Sequence, residues 1–233
     1  MKVDMHTHTN LSNGSETPTY VLQDAQRNGV TVLSITDFNT LQFYLSLNKT
    51  ELRNYYTGQL VTGVEVNCKF EHYCSDMIAY NIKDLERMQS WLQLNTGKDN
   101  TKEAQIEQLE HYKQVARELM LSFDEAIQIS QKQPLAGKVI ANELGQHLEN
   151  IEKVKGLEKP SNFWIEHCMN IQSPFYFDMS RYRPTLEDFI HIVHECGGLV
   201  FVAHPFAYAS SKQELLEYLK ICKKHGVDGI ECY

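Results

Sequence analysis

Residues 3–8 read Val-Asp-Met-His-Thr-His, a short extended run that ends in two histidines one residue apart. Side chains at i and i+2 of a strand leave on the same side, so His6 and His8 can share one ion where the strand ends in a cleft. The pair alone is a weak signal, and its weight comes from the neighbouring apolar runs. Residues 31–36 (TVLSIT) are closed by Asp37, residues 60–66 (LVTGVEV) carry Glu65, the run 77–82 is preceded by His72 and Asp76, and residues 199–203 (LVFVA) are closed by His204. Ionisable residues stand repeatedly where apolar strands finish.

Helical patterns separate these runs. Thr17-Pro18 opens a helix whose apolar face is Tyr20, Val21, Leu22 and Ala25, and Asn28-Gly29 ends it. Residues 40–56, 186–196 and 212–225 read as further helices, and 227–232 as a last strand. Such alternation predicts an α/β fold of βα units around a parallel sheet. From residue 84 to 183 the pattern changes to polar helical sequence, with Ile106, Leu109, Tyr112, Val115 and Leu119 at three- or four-residue spacing. The expected organisation is a barrel domain made of residues 1–83 and 184–233, carrying a mostly helical inserted subdomain, 84–183.

In a βα-barrel, the C-terminal rim gathers side chains from several strands into one cleft. Imidazole nitrogen combined with carboxylate oxygen suits manganese, zinc or iron. One or two such ions would acidify water and polarise a phosphoryl oxygen, which makes hydrolysis the natural chemistry.

The charge balance, 22 Lys+Arg against 30 Asp+Glu for a formal −8, disfavours general attraction to a polyanion, so duplex DNA is not an expected partner. Six cysteines without CxxC spacing read as reduced thiols of a cytoplasmic protein rather than a disulfide scaffold or a cysteine zinc site. No apolar run of about 20 residues predicts a membrane span. Oligomeric state is not legible.

The chain resembles the PHP (polymerase and histidinol phosphatase) family of metal-dependent phosphoesterases. The resemblance is carried by Asp4-Met5-His6-Thr7-His8, Ser12-Asn13-Gly14, Ile35-Thr36-Asp37, Gly63-Val64-Glu65, GGLVFVAHP at 197–205 and GVDGIECY at 226–233. It implies a (βα)7-like distorted barrel, here lacking the last segment, and metal ligation by His6, His8, Glu65 and His204. A further family ligand, a histidine, falls on Asp76, which can still coordinate, with His72 as a neighbouring alternative. Asn13 stands where relatives carry an aspartate ligand and Phe38 where they carry a histidine, so the metal position those two share is expected to be lost or weakened. Asp37, with Asn13, is assigned to the catalytic machinery, Asp37 by orienting a ligand or bound water. The family's Arg-x-His-Ile-Ala segment appears as GKVIA at 137–141, which leaves Lys138 to meet a phosphate. Its final Gly-Ser-Asp-x-His motif has no counterpart up to Tyr233.

The stretch FYFDMSRY at 175–182, with Arg181 and Arg183, offers either a phosphate- or base-binding wall or ordinary loop packing; Arg181 is taken as the substrate-binding candidate. His111, His147, His167, His191, His194 and His225 lie in polar helical sequence and are assigned no role. The expected function is hydrolysis of a small phosphomonoester, a nucleotide or sugar phosphate. The alternatives are a degenerate barrel that keeps a residual ion, and a nuclease acting on short RNA.

Overall fold

The structure is a computed structural model that describes residues 1–71, 73–168, 170–209 and 211–232. The chain divides into two compact units, residues 1–96 with 183–233, and residues 97–182. The expected boundary at 83/84 moves to 96/97. Helix α4, Leu85–Asn95, buries Met88 and Leu92 in the core of the first unit.

The first unit begins with β1 (Val3–Thr7), α1 (Pro18–Arg27) and β2 (Val32–Ile35). The predicted start of α1 is found: Thr17 caps it by accepting from Tyr20 N, and Pro18 occupies the first turn, where its missing N–H costs nothing. Residues 40–56 were expected as one helix and form two, α2 (Gln42–Ser46) and α3 (Lys49–Leu52). Asn48 separates them: its side chain accepts from the N–H groups of Thr50 and Glu51 and so begins a new helix.

The expected strand 60–66 is likewise two elements, β3 (Gln59–Leu60) and β4 (Gly63–Phe70). Strand β3 extends the first sheet, in parallel order β1-β2-β3, whereas β4 begins a second sheet ordered β4-β5-β6-β7. The second sheet is not the all-parallel one expected. Strand β5 (Tyr73–Tyr80) runs antiparallel to both β4 and β6 (Leu199–Val202), and only β6 and β7 (Gly229–Ile230) are parallel there. Two residues, Glu71 and His72, connect β4 to β5, and so short a connection can only join antiparallel strands. His72 itself lies outside the described residues.

Among the described residues the ladders form two sheets of a mixed α/β fold. They meet where Phe38 bridges Glu65 in parallel, and Asn39 N donates to Glu65 O at 2.9 Å. Inside lies a small apolar cluster of Ile78, Tyr80 and Ala203 with Met5, Val61 and Phe201, and Tyr80 Oη donates to Met5 O at 2.9 Å. Helices α9 (Leu186–Glu195) and α10 (Lys212–His225) cover the outside, contributing Phe189, Val193, Tyr218 and Cys222 to the main core.

The second unit carries α5 (Lys102–Glu118), α6 (Ala136–Leu144), α7 (Leu148–Lys153) and α8 (Pro160–Phe163). Its core is its own: Leu109, Tyr112, Val139, Ile140, Leu144, Phe163 and Phe175 pack together. The cysteines among the described residues are free. No described helix is long and apolar enough to cross a membrane.

Candidate metal centre

Strand β1 delivers His6 and His8 to one end of the first unit, and β4 delivers Glu65 beside them. His6 Nε2, His8 Nε2 and Glu65 Oε2 form a triangle with sides of 3.2 Å between the imidazoles and 3.1 and 3.0 Å from each to the carboxylate. Donors around a tetrahedral zinc-like ion with bonds of about 2.0–2.1 Å stand roughly 3.3 Å apart. The three groups are therefore spaced as one face of a coordination shell.

Glu65 has a second oxygen, and it faces a second group. Oε1 lies 3.2 Å from His204 Nε2, which is 3.5 Å from Asp76 Oδ2. Two clusters, His6–His8–Glu65 and Glu65–Asp76–His204, thus share one carboxylate, in the manner of a bridging ligand between two cations. His204 adopts φ 26°, in the left-handed region that a non-glycine residue occupies at a cost; such strain tends to persist where a side chain must be aimed.

The electrostatics of these groups favour positive charge at their centre. Burial alone would lift the Glu65 carboxyl, but bonds from His204, His6 and His8 hold it well below the usual carboxylate range. Burial disfavours a charged His6, yet Glu65 and Glu231 overcome this and raise its pKa to about 9. His204 is raised too, chiefly through its bond to Glu65. Asp76 moves the other way for a carboxylate: burial and the nearby Glu65 charge push it up, although Tyr208 and Asn67 donate to it. In the ion-free protein, protons take up part of the positive charge that a bound cation would supply.

All five predicted ligands, His6, His8, Glu65, Asp76 and His204, are thus brought together. Asp37 is near but turned elsewhere. Its two oxygens accept from Thr9 N and Thr9 Oγ1 at 2.7 Å each and from Ser12 Oγ at 2.6 Å, which ties the loop after β1 to the end of β2. Gly14 lets that loop lie on the His8–Thr9 backbone, since a Cβ there would stand 2.6 Å from His8 O. Asn13 is exposed, and its Oδ1 meets only the Ser12 hydroxyl, at 3.4 Å. Lys138 and Arg181 belong to the second unit. Lys138 is exposed on α6, and Arg181 pairs with Glu107, bonds Tyr182 Oη at 3.1 Å and lies over the Phe177 and Tyr182 rings.

Sequence reading did not single out Glu231, Tyr208 or Asn67. Glu231 Oε1 lies 3.1 Å from His6 Nδ1, and its Oε2 accepts from His204 N at 2.6 Å, so one carboxylate orients two of the imidazole-bearing residues. It follows strand β7 directly, the pattern that drew notice to Asp37 and His204. Tyr208 Oη donates to Asp76 Oδ2 at 2.9 Å and accepts from Asp76 N at 2.8 Å, and Asn67 Nδ2 donates to Asp76 Oδ1 at 2.7 Å. No sequence pattern marks a tyrosine four residues past a rim histidine.

No family model matches the chain. Over 233 residues it is 24% identical to a 5'-3' exoribonuclease of Haemophilus influenzae, covering 99% of this chain and 78% of the relative. With the 5'-3' exoribonuclease Rnm of Escherichia coli it shares 23% identity over 230 residues, 98% of this chain and 73% of the relative. Among solved structures, a protein described as a metal-dependent phosphoesterase from Bifidobacterium adolescentis superposes with a TM-score of 0.60 at 20% identity, over 99% of this chain and 77% of that one. An amidohydrolase from Chromobacterium violaceum with bound sulfate gives a TM-score of 0.61 at 18% identity, over 99% and 76%. The chain therefore shares the mixed α/β fold of these proteins.

Proposed function

We propose that this protein is a metal-dependent hydrolase of phosphate esters, with His6, His8 and Glu65 holding one divalent cation and Glu65, Asp76 and His204 a second. The observation that carries the reading is the 3.0–3.2 Å triangle of His6 Nε2, His8 Nε2 and Glu65 Oε2, with the other Glu65 oxygen turned to His204. Manganese, zinc or iron in such a nitrogen and oxygen set would supply Lewis-acid polarisation of a phosphoryl oxygen and water acidified toward neutral pH. The chain's own part is to hold the donors in place: Glu231 fixes His6 and the His204 backbone, Tyr208 and Asn67 fix Asp76, and Asp37 secures the loop beside His8.

The substrate is a small phosphomonoester in the simplest form of this reading. A phosphodiester is favoured by a specific finding: both curated relatives, matched along almost the whole of this chain, are 5'-3' exoribonucleases. The sulfate bound to the Chromobacterium violaceum protein supports an anion of phosphate shape as the guest of this fold. Two substrate families decide between them. Protein supplied in turn with Mn2+, Zn2+ and Fe2+ is assayed on an aryl phosphate and mononucleotides, and on short 5'-phosphorylated RNA. Metal-dependent turnover that disappears in the His6→Ala/His8→Ala double variant supports the reading, and the faster substrate selects the ester class. Absence of turnover on both, from protein shown to contain metal, leaves a metal-holding α/β protein without this chemistry.

A further inference from the structure

A cleft of about 280 Å³ opens in the first unit among α1, α2 and α3. Its walls come from the segments that leave the carboxyl ends of the parallel strands β1 and β2: Leu11 from the loop after β1, Thr19 from the first turn of α1, and Gln42, Phe43 and Leu47 from the segment after β2. The outside of the carboxyl ends of parallel strands is where α/β sheets receive their ligands, and β1 presents His6 and His8 at that same end. Leu11 stands three residues past His8, and three residues span no more than about 11 Å. The intervening loop is turned back on itself, since Ser12 N and Gly14 N both donate to Thr9 O, at 3.1 and 2.9 Å, and Leu11 N donates to Thr9 Oγ1 at 3.2 Å. The cleft therefore lies within one nucleotide's reach of the His8 side of the metal centre.

The lining selects the kind of guest. Leu11, Phe43, Leu47 and Tyr55 supply apolar surface, and Leu11 stays exposed despite being apolar. Thr19, Gln42 and Glu51 bring a hydroxyl, a carboxamide and a carboxylate, all exposed and without a side-chain partner among the described residues. Glu51 carries the charge of this lining, so a phosphate is repelled here and the uncharged part of an ester is accepted. At about 280 Å³ the cleft is smaller than the roughly 300–1,000 Å³ of a site that encloses a drug-sized molecule, so it holds one ring system. A flat heteroaromatic ring matches apolar walls with a few polar groups, and an exocyclic amine donates to a carboxylate as cytosine does to Glu or Asp.

We propose that this cleft is the nucleobase subsite of the metal centre, with the ring packed against Leu11 and Phe43 and an exocyclic amine donating to Glu51. The phosphate at the metal centre and the base in the cleft are then joined by one ribose, which makes the substrate a nucleotide or the end of an RNA strand rather than a simple sugar phosphate. This inference rests on the phosphate-ester reading above, and binding of nucleosides, which have no phosphate to hydrolyse, tests it apart from turnover.

Adenosine, cytidine and uridine are titrated into the purified protein and followed by saturation-transfer NMR. Adenosine is expected to bind the wild type, and Thr19→Trp, which fills the cleft, to weaken that binding at least tenfold. Cytidine should bind at least threefold more tightly than uridine, which has a carbonyl in place of the amine, and Glu51→Gln should remove the preference. No adenosine binding to the wild type, binding unchanged in Thr19→Trp, or equal binding of cytidine and uridine overturns the proposal. Circular dichroism establishes that each variant is folded, and if Thr19→Trp is not, Gln42→Trp at another exposed lining position blocks the same cleft. Nucleoside binding by a protein that hydrolyses no ester sinks the hydrolase reading and leaves the cleft assignment standing, whereas ester hydrolysis without nucleoside binding does the reverse.

Discussion

The imidazole of His8 and the phenyl ring of Phe38 lie face to face, with centroids 5.0 Å apart and planes 7° from parallel. Phe38 is itself pinned by its bridge to Glu65, so the ring that flanks His8 is fixed by the residue His8 contacts. A ligating histidine is ordinarily oriented by a hydrogen bond at its other nitrogen, but His8 Nδ1 is buried without one. Aromatic packing takes over that task. Phe38→Ala should therefore lower affinity for Mn2+ by about tenfold, the scale seen when an orienting neighbour of a ligand is lost. Competition with a chromogenic chelator reads this out, and Phe38→Leu, which keeps bulk without a flat face, should fall between. Unchanged affinity in Phe38→Ala would show that His8 is oriented by something else.

Asp37 is 2% exposed and accepts three hydrogen bonds from Thr9 and Ser12. An amide keeps one oxygen to accept from Thr9 N, and the Thr9 hydroxyl can turn to accept from its nitrogen, but the negative charge that strengthens these bonds is lost. Asp37→Asn should cost about 1.5–3 kcal/mol of stability, the worth of a hydrogen bond to a charged group, measured by urea denaturation. A direct catalytic role predicts the opposite pattern: stability kept and turnover lost.

The reach of sequence reading followed how locally each feature is determined. Apolar runs that stop near an ionisable residue drew notice to the proposed ligands His6, His8 and His204, whereas Glu65 and Asp76 stand inside β4 and β5. The cap at Thr17-Pro18 was legible because its bonds lie within one turn. The antiparallel course of β5 depends on the two-residue connection before it, and the break at Val61-Thr62 on which sheet each half joins; periodicity carries neither. Asn67 and Tyr208 act only through Asp76, and Tyr208 lies 132 residues from it in sequence, so their role exists only once the chain has folded.

His6 links the site to pH. Its folded pKa of about 9 lies above the ordinary 6.5, so its pairing with Glu65 and Glu231 contributes stability in full below about pH 6.5 and loses it as pH rises toward 9. Glu65 is depressed from its ordinary 4.5, so its contribution is present above about pH 4.5 and fades as pH falls further. The metal-free protein should be most stable between those limits, and its urea midpoint should drop from pH 6.5 to 9. Metal affinity should run the other way, since a cation must displace the His6 proton: close to tenfold tighter per pH unit over that range, with proton release seen by calorimetry in buffers of different ionisation enthalpy. Affinity flat across that range would refute the coupling.

Glu231 bonds the His6 ring and the His204 backbone at once, so its removal should disturb both halves of the centre. Glu231→Ala is expected to weaken metal binding by about 10- to 100-fold while the protein stays folded. Glu231→Gln, which can still accept from His204 N, should lose less. Metal content after gel filtration, measured by elemental analysis, compares the three proteins.

Tyr208 acts on one half alone. Its hydroxyl holds the Asp76 carboxylate and backbone together, and its ring packs against His204 at a centroid distance of 5.6 Å. Tyr208→Phe keeps the packing and removes the hydroxyl, so His204 remains in place while Asp76 loses a donor to Oδ2 and an acceptor for its N–H. The His6–His8–Glu65 cluster makes no contact with that hydroxyl. In a titration that resolves two metal equivalents, the variant should therefore keep one affinity within about twofold and weaken the other by about tenfold, the scale of loss when a ligand's supporting partner is deleted. Equal weakening of both equivalents would mean that Glu65 couples the two clusters into a single binding unit, and an unchanged titration would mean that Asp76 is not a ligand.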